Sequence, residues 1–252
     1  MKCPGQDSRY WDGEAVFEAP CPYCGVEVEF FKDDATRKCP GCGKKILNPR
    51  TDFGCASYCP YAEQCLGELP PGLIAGRQEL LVDRTAVAMK KYFGDDFRRI
   101  GHASKVARHV GEIARKLSES DEEEGYNPAV ASICGYLHDI GIKEAERKFA
   151  SSAPKYQHQE GPPVARGILE ELGASPGLVD EVCEIIGHHH TPRGDDSINF
   201  RVLYDADLIE NVDEERGEGR FGPDKLTAMI EKSFLTRAGA MVARKVWLEE
   251  KE

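Results

Sequence analysis

Long apolar runs, an apolar N-terminal stretch and an excess of positive charge are all missing from this sequence of 252 residues. No window approaches about 18 uninterrupted apolar residues, so no membrane span is expected. The first residues lack the apolar segment of a secretory signal. The formal net charge of −11 makes the chain a poor general binder of nucleic acid or anionic membranes. These absences predict a cytoplasmic protein.

The cysteines are unevenly distributed, since eight of the ten lie in the first 65 residues. In a chain without a secretion signal, this density points to metal ligands rather than disulfides. The segment Leu69-Pro70-Pro71-Gly72 ends the cysteine-rich part, because paired prolines cannot continue a helix. We therefore predict two domains, a cysteine-rich head of residues 1–72 and a body of residues 73–252.

The first cysteine group consists of two C-x-x-C pairs, Cys21-Pro22-Tyr23-Cys24 and Cys39-Pro40-Gly41-Cys42. Each pair places two thiolates on one tight turn. Between them, residues 26–31 alternate as a strand that leads into a turn at residues 32–35. Two such pairs flanking a hairpin are typical of a zinc ribbon, in which four thiolates hold one structural zinc ion. A head of this size builds little core, so the ion would supply folding energy.

The second cysteine group is Cys55, Cys59 and Cys65, one ligand short of a closed site. Cys3 is the only other cysteine of the head, and we propose it as the fourth ligand. Four thiolates suit either a second zinc ion or an iron–sulfur cluster, and the spacing does not choose between them. The alternative is that these residues are buried free cysteines, which pack as small hydrophobic side chains.

The body shows helical periodicity and no alternating strand of any length. Apolar stripes recur along it, for example through Val106, Val110, Ile113 and Leu117. The predicted fold class is therefore mainly α, with an all-helical body preceded by a small, metal-stabilised, zinc-ribbon-like β domain.

Three histidines extend apolar stripes and are therefore expected to point inward: His102, His138 and His189. Asp139 directly follows His138, and Gly141 offers a helix stop just after it. Buried charge must be paired or bound to a metal. These residues are thus candidates for one metal site.

The order of these residues resembles the HD superfamily of metal-dependent phosphohydrolases over roughly residues 80–215. The matching pieces are Gly101-His102-Ala103, Leu137-His138-Asp139-Ile140-Gly141 and Asp205-Ala206-Asp207. The resemblance implies an HD domain with one divalent ion held by His102, His138, Asp139 and Asp207. The Ala206-Asp207 match favours Asp207 over Asp205 as the last ligand.

Members of this superfamily with two metals have further histidines. His189, in the triplet His188-His189-His190, matches one added position. At the other, four residues before Gly161, stands Gln157, with His158 beside it. The resemblance leaves a second ion, with His189 and His158 as its candidate ligands, as an open alternative.

A set of nitrogen and oxygen ligands binds Mn²⁺, Fe²⁺, Co²⁺, Ni²⁺ or Zn²⁺. Such an ion lowers the pKa of bound water, and the resulting hydroxide can attack phosphorus. This chemistry places Asp139 at the reacting centre. Lys105, Lys143 and Arg193 are candidates for stabilising charge on the phosphoryl oxygens.

The resemblance implies hydrolysis of a small-molecule phosphate ester, in particular of a nucleotide or a related compound. Two alternatives remain. One is a non-catalytic, metal-bound sensor or adaptor whose zinc ribbon binds a protein or nucleic acid partner. The other is a di-iron oxygenase on the same helical scaffold, which would need a complete second iron site.

Overall fold

The computed structural model describes residues 16–31, 34, 36–50, 71–120, 124–216 and 221–248. The chain divides into two compact units, Met1–Leu80 and Leu81–Glu252. Short strands come first and helices follow, which confirms the predicted fold class of a mainly α protein with a small β head. The domain boundary at residue 72 stays a prediction.

The head contains two antiparallel hairpins, each with one C-x-x-C pair in its turn. In the first, β1 (Val16–Pro20) pairs with β2 (Glu27–Phe31). In the second, β3 (Thr36–Lys38) pairs with β4 (Lys45–Leu47). The predicted strand is thus present as β2, but its partner precedes the first cysteine pair. The single hairpin expected between the pairs is replaced by two hairpins.

The two cysteine turns close their hairpins in the same way. The backbone N–H of Cys21 donates to the carbonyl of Val26, and that of Cys39 donates to the carbonyl of Lys44, both at 2.9 Å. Gly25 follows one pair with φ of +74°, a conformation that glycine adopts without strain. The apolar core of the head is small, and its buried members are Phe17, Cys21, Val28, Phe30, Cys39 and Ile46.

The described part of the chain continues with nine helices. They are α1 (Pro71–Phe93), α2 (Phe97–Ser120), α3 (Pro128–Leu137), α4 (Ile142–Phe149), α5 (Pro154–Glu171), α6 (Pro176–Ile186), α7 (Ile198–Arg216), α8 (Pro223–Ser233) and α9 (Arg237–Leu248). Within the described residues, none of these helices combines the length and the apolar content that a membrane crossing requires.

Helix α3 lies at the centre of the helical unit and packs against α2, α6 and α7. Pro128 occupies its first turn, and the side chain of Asn127 accepts hydrogen bonds from the N–H groups of Ala129 and Val130. This N-terminal cap satisfies donors that the helix itself leaves unpaired. Because most of α3 is buried, the residues at its C-terminal end are held at the interior.

The turn that follows α3 touches α5 closely at Gly141. A Cβ atom added to Gly141 would lie 2.5 Å from the backbone nitrogen of Gly161 and 2.7 Å from the carbonyl oxygen of Gln157. Both neighbours are backbone atoms that cannot rotate away. The glycine after His138-Asp139-Ile140 is therefore required by the approach of α5.

We predict that Gly141→Ala lowers the free energy of unfolding by about 3 kcal/mol, since the added methyl group forces two backbones apart. Gly111→Ala is the matched control, because Gly111 lies inside α2 and a Cβ there meets nothing within 4 Å. That change should be neutral or stabilising, as alanine is the better helix former. Chemical denaturation measures both, and equal stability of the two variants would contradict the packing argument.

Candidate metal centre

Three segments of the helical unit bring four predicted ligands together. His102 lies in the second turn of α2, His138 and Asp139 follow α3, and Asp207 lies in the middle of α7. The Nε2 atom of His102 is 3.3 Å from Nε2 of His138 and 3.1 Å from Oδ1 of Asp207. The Oδ2 atom of Asp139 is 3.6 Å from Nε2 of His138. We call these four residues the first ligand group.

The two carboxylates of the first ligand group are ionised, and this favours the binding of a cation. Burial by itself would raise the pKa of Asp207, but the hydrogen bond from His102 and the charge of His138 hold it well below its usual range. Burial also opposes the ionisation of Asp139, and the charges of His138 and His189 lower its pKa to about 2. Two ionised carboxylates and two imidazoles are a ligand set that suits a divalent ion.

The surroundings of His138 also favour positive charge, since they stabilise the protonated form of its imidazole. Burial would lower its pKa, yet the charges and hydrogen bonding of Asp139 and Asp207 raise it to about 9. His138 is also the most deeply buried of the four side chains, whereas Asp139 keeps 20% of its side-chain surface exposed. The group is therefore anchored in the interior and open to solvent at Asp139.

A second group of histidines lies on the other side of Asp139. Ligand atoms of His158, His189 and His190 lie within 4.8 Å of one another. The Nε2 atom of His189 is buried and makes no hydrogen bond within the described residues. Its distance to Oδ1 of Asp139 is 3.7 Å. The two carboxylate oxygens of Asp139 thus face different groups, and we call the three histidines the second ligand group.

The second ligand group contains the two candidate histidines named from the sequence and one further histidine. His158 belongs to it, whereas the side-chain amide of Gln157 donates to the carbonyl of Ser152 at 2.6 Å. His190 also belongs to it, although the sequence singled out His189 alone. Helix α6 ends at Ile186, so the turn that follows can direct neighbouring side chains to one place. His188 pairs instead with Asp196 at 2.9 Å.

The rings of His158 and His190 are disposed to be neutral. Burial, and then the charge of His189, lower the pKa of His190 to about 4, and the same two causes lower the pKa of His158. Only a neutral imidazole nitrogen can bind a metal ion. Both rings favour the neutral form, and Nε2 of His158 lies 3.1 Å from Nδ1 of His190.

Asp205 lies away from the first ligand group, with its carboxylate turned toward the start of α9. It accepts hydrogen bonds from the N–H of Leu235 at 2.8 Å, the N–H of Thr236 at 2.9 Å and the Thr236 hydroxyl at 2.7 Å. The side chain is completely buried. Its contacts are those of a structural anchor, two residues before Asp207 on the opposite side of α7.

The three candidate cations each have another partner. The Lys105 ammonium lies 2.5 Å from Oε1 of the buried Glu210. Lys143 donates to the backbone carbonyl of Tyr92 at 2.9 Å, and Arg193 lies 3.2 Å from Glu184. Of the three cations, Lys105 is the nearest in sequence to His102. Arg193 lies three residues after His190 of the second ligand group in the sequence.

The four cysteines of the head form a cluster as predicted from the two C-x-x-C pairs. The sulfur of Cys21 is 3.8 Å from that of Cys42, and the sulfur of Cys24 is 3.4 Å from that of Cys39. The backbone N–H of Cys42, and also that of Gly41, stabilise the Cys39 thiolate and lower its pKa to about 6. The predicted second site of Cys3, Cys55, Cys59 and Cys65 lies outside the described residues.

The chain is similar to known proteins at the level of a solved structure and of a family model. A solved structure described as a predicted HD superfamily hydrolase from an uncultured Thermotogales bacterium is 24% identical to this chain; the match covers 67% of this chain and 84% of that one, with a TM-score of 0.46. The family model for the HD domain matches residues 99–212, which include the whole first ligand group. Residues 99–212 are thus similar to the HD domain, which supports a metal-dependent hydrolase, and the four clustered cysteines lie earlier in the sequence.

Proposed function

We propose that this protein is a metal-dependent phosphohydrolase that cleaves a phosphate ester of a nucleotide or a related small molecule. The observation that carries the proposal is the position of Asp139, whose carboxylate oxygens face the first ligand group on one side and His189 on the other. A carboxylate placed in this way can be shared between two ions and remains open to solvent.

The residues fit divalent ions. Two imidazole nitrogens of the first group lie 3.3 Å apart beside ionised carboxylates, an arrangement that a shared cation would stabilise. In the second group, the buried His189 nitrogen lacks a hydrogen bond within the described residues, which a metal would also remedy. His102, His138, Asp139 and Asp207 would hold one ion. His158, His189 and His190 would hold a second, with Asp139 shared.

A divalent ion bound here supplies Lewis acidity toward a phosphoryl oxygen and a more acidic bound water. The buried His138 and Asp207 fix the geometry, because their side chains have little freedom to move. The partly exposed Asp139 faces the solvent side, where it can accept a hydrogen bond from water. We assign Lys105 and Arg193, and less directly Lys143, to stabilising charge on the substrate's phosphoryl group.

The two alternative functions, a di-iron oxygenase and a sensor or adaptor, predict different behaviour of the same two ligand groups. A di-iron oxygenase is compatible with two ligand groups around Asp139, and it would consume oxygen when loaded with Fe²⁺. A sensor or adaptor would keep its metal and turn over no phosphoester. The cytoplasmic location also stays a prediction.

The function is tested by metal reloading. The chelated protein is loaded separately with Mn²⁺, Fe²⁺, Co²⁺, Ni²⁺ or Zn²⁺ and given nucleoside mono-, di- and triphosphates, cyclic nucleotides and p-nitrophenyl phosphate. We expect release of phosphate or of the dephosphorylated nucleoside with at least one ion. Oxygen consumption without phosphoester cleavage would replace the proposal with the oxygenase, and metal retention without either activity would favour the adaptor.

For the head we propose one structural zinc ion held by Cys21, Cys24, Cys39 and Cys42. Cys39→Ser should release one equivalent of zinc and expose the head to protease, because its small core cannot replace the ion. The helical circular dichroism signal should persist. Cys183→Ser, a change in the helical unit, is the control and should keep the zinc; unchanged zinc content in Cys39→Ser would refute the site. The same elemental analysis counts a further ion or cluster at Cys3, Cys55, Cys59 and Cys65.

A further inference from the structure

Three histidines of the two ligand groups direct Nε2 toward the metal centre and Nδ1 away from it. They are His102, His138 and His189. In His138, Nδ1 lies 3.0 Å from the carbonyl oxygen of Gly135. In His189, Nδ1 lies 2.8 Å from the carbonyl oxygen of Ile186. Both acceptors lie three residues earlier at the end of a helix, where carbonyl groups lack a helical partner. A hydrogen bond of this kind places the proton on Nδ1 and leaves the Nε2 lone pair free for a metal.

Within the described residues, the ring of His102 has side-chain partners and no carbonyl contact of this kind. It lies inside α2 (Phe97–Ser120), where the preceding carbonyls accept the regular helical hydrogen bonds. Its Nδ1 instead faces a side chain from α7, with Oε1 of Glu214 at 3.4 Å. Glu214 stands two helical turns after Asp207, whose Oδ1 lies 3.1 Å from the other nitrogen of the ring. One helix thus contacts both edges of the His102 ring.

We propose that Glu214 is a positioning residue for His102. Its carboxylate accepts a hydrogen bond from Nδ1–H, and this bond fixes the ring so that the Nε2 lone pair points toward His138 and Asp207. The inference rests on the proposed function, in which the first ligand group holds a divalent ion. A carboxylate behind a metal-bound imidazole also increases the basicity of the ligand nitrogen.

The neighbouring charges favour this role over direct metal binding by Glu214. The cluster of His102, Glu210 and Glu214 has a spacing that could hold an ion. The Lys105 ammonium, however, already lies 2.5 Å from Oε1 of Glu210 and 3.9 Å from Oε1 of Glu214. A second cation at this position would be repelled by that ammonium. Glu210 also contacts the buried His109 at 3.3 Å, so Glu214 is the carboxylate available to His102.

The test compares Glu214→Ala with a control carboxylate on α2 that also faces a histidine. Glu112 makes a contact of the same length within that helix, with Oε2 3.4 Å from Nδ1 of His109, a histidine outside both ligand groups. Binding of Mn²⁺ is followed by electron paramagnetic resonance of the free ion. We expect Glu214→Ala to weaken binding about tenfold, the lower end of the usual range, because the Glu214 side chain is 34% exposed and water can partly replace it. Glu112→Ala should bind Mn²⁺ like the native protein.

Two further readouts separate positioning from a general effect on the fold. Glu214→Gln keeps a neutral oxygen acceptor and should restore Mn²⁺ affinity to within a few-fold of native. In protein loaded with Zn²⁺ and labelled with ¹⁵N-histidine, the His102 Nδ1–H signal should be shifted downfield and protected from exchange, and Glu214→Ala should lose both properties. Native Mn²⁺ affinity in Glu214→Ala, or an unchanged Nδ1–H signal, would overturn the inference while leaving the proposed function intact. Failure of the native protein to bind Mn²⁺ would overturn the metal centre itself, and this inference with it.

Discussion

Asp139→Ala should remove metal from both ligand groups at once and abolish phosphoester hydrolysis. One oxygen of this carboxylate lies 3.6 Å from Nε2 of His138, and the other lies 3.7 Å from Nε2 of His189. Truncation therefore takes a ligand and a negative charge from each group. We expect turnover to fall by roughly a thousandfold or more, the scale seen when a group that stabilises the transition state is deleted.

The measurement is elemental analysis after metal reloading, combined with hydrolysis of the best substrate found. Asp180→Ala serves as the control, because that carboxylate is exposed and pairs with Arg166 on the surface. It should retain native metal content and turnover. The helical circular dichroism of both variants should stay close to native. Native turnover in Asp139→Ala would show that the catalytic centre lies elsewhere.

The second large effect separates Asp207 from Asp205, two acidic residues that the sequence alone distinguishes poorly. Asp207→Asn should lose the metal of the first ligand group, because it removes one of the two negative charges that balance the ion. Asp205→Asn should keep the metal. It should instead lower the free energy of unfolding by about 2 kcal/mol, since the new amide group sets a donor against the N–H groups of Leu235 and Thr236.

Both variants are measured for Mn²⁺ affinity and for stability toward denaturant. The expected pattern is a crossed one, in which Asp207→Asn changes affinity far more than stability and Asp205→Asn does the reverse. Because the two residues share one helix and one type of substitution, each controls for the other. If Asp205→Asn loses Mn²⁺ binding while its denaturation midpoint stays native, the ligand role belongs to Asp205.

The choice of Asp207 came from the resemblance to the HD superfamily, whereas helical periodicity was sufficient to predict the class of the fold and the inward direction of three histidines, His102, His138 and His189. Each of these residues extends an apolar stripe, and burial of the stripe carries the polar side chain inward. The two C-x-x-C pairs likewise predicted the cysteine cluster, because the spacing within each pair is local.

Contacts between distant segments were beyond the sequence pattern. His190 lies after the end of α6, where no helical repeat fixes the direction of a side chain. Glu214 lies 112 residues from His102, and its contact depends on how α2 packs against α7. Strand β2 pairs with β1 and not with a following strand, because the turn that carries the first cysteine pair connects β1 to β2. The alternation of residues along a strand does not reveal which strand is its partner.

The most direct test of the metal centre is anomalous X-ray diffraction from crystals soaked in Mn²⁺. A peak is expected among Nε2 of His102, Nε2 of His138, Oδ2 of Asp139 and Oδ1 of Asp207, with a second peak near His158, His189 and His190 if both groups are filled. A first peak lying instead between Glu210 and Glu214, or the absence of any peak beside His138 at saturating Mn²⁺, would contradict the assignment.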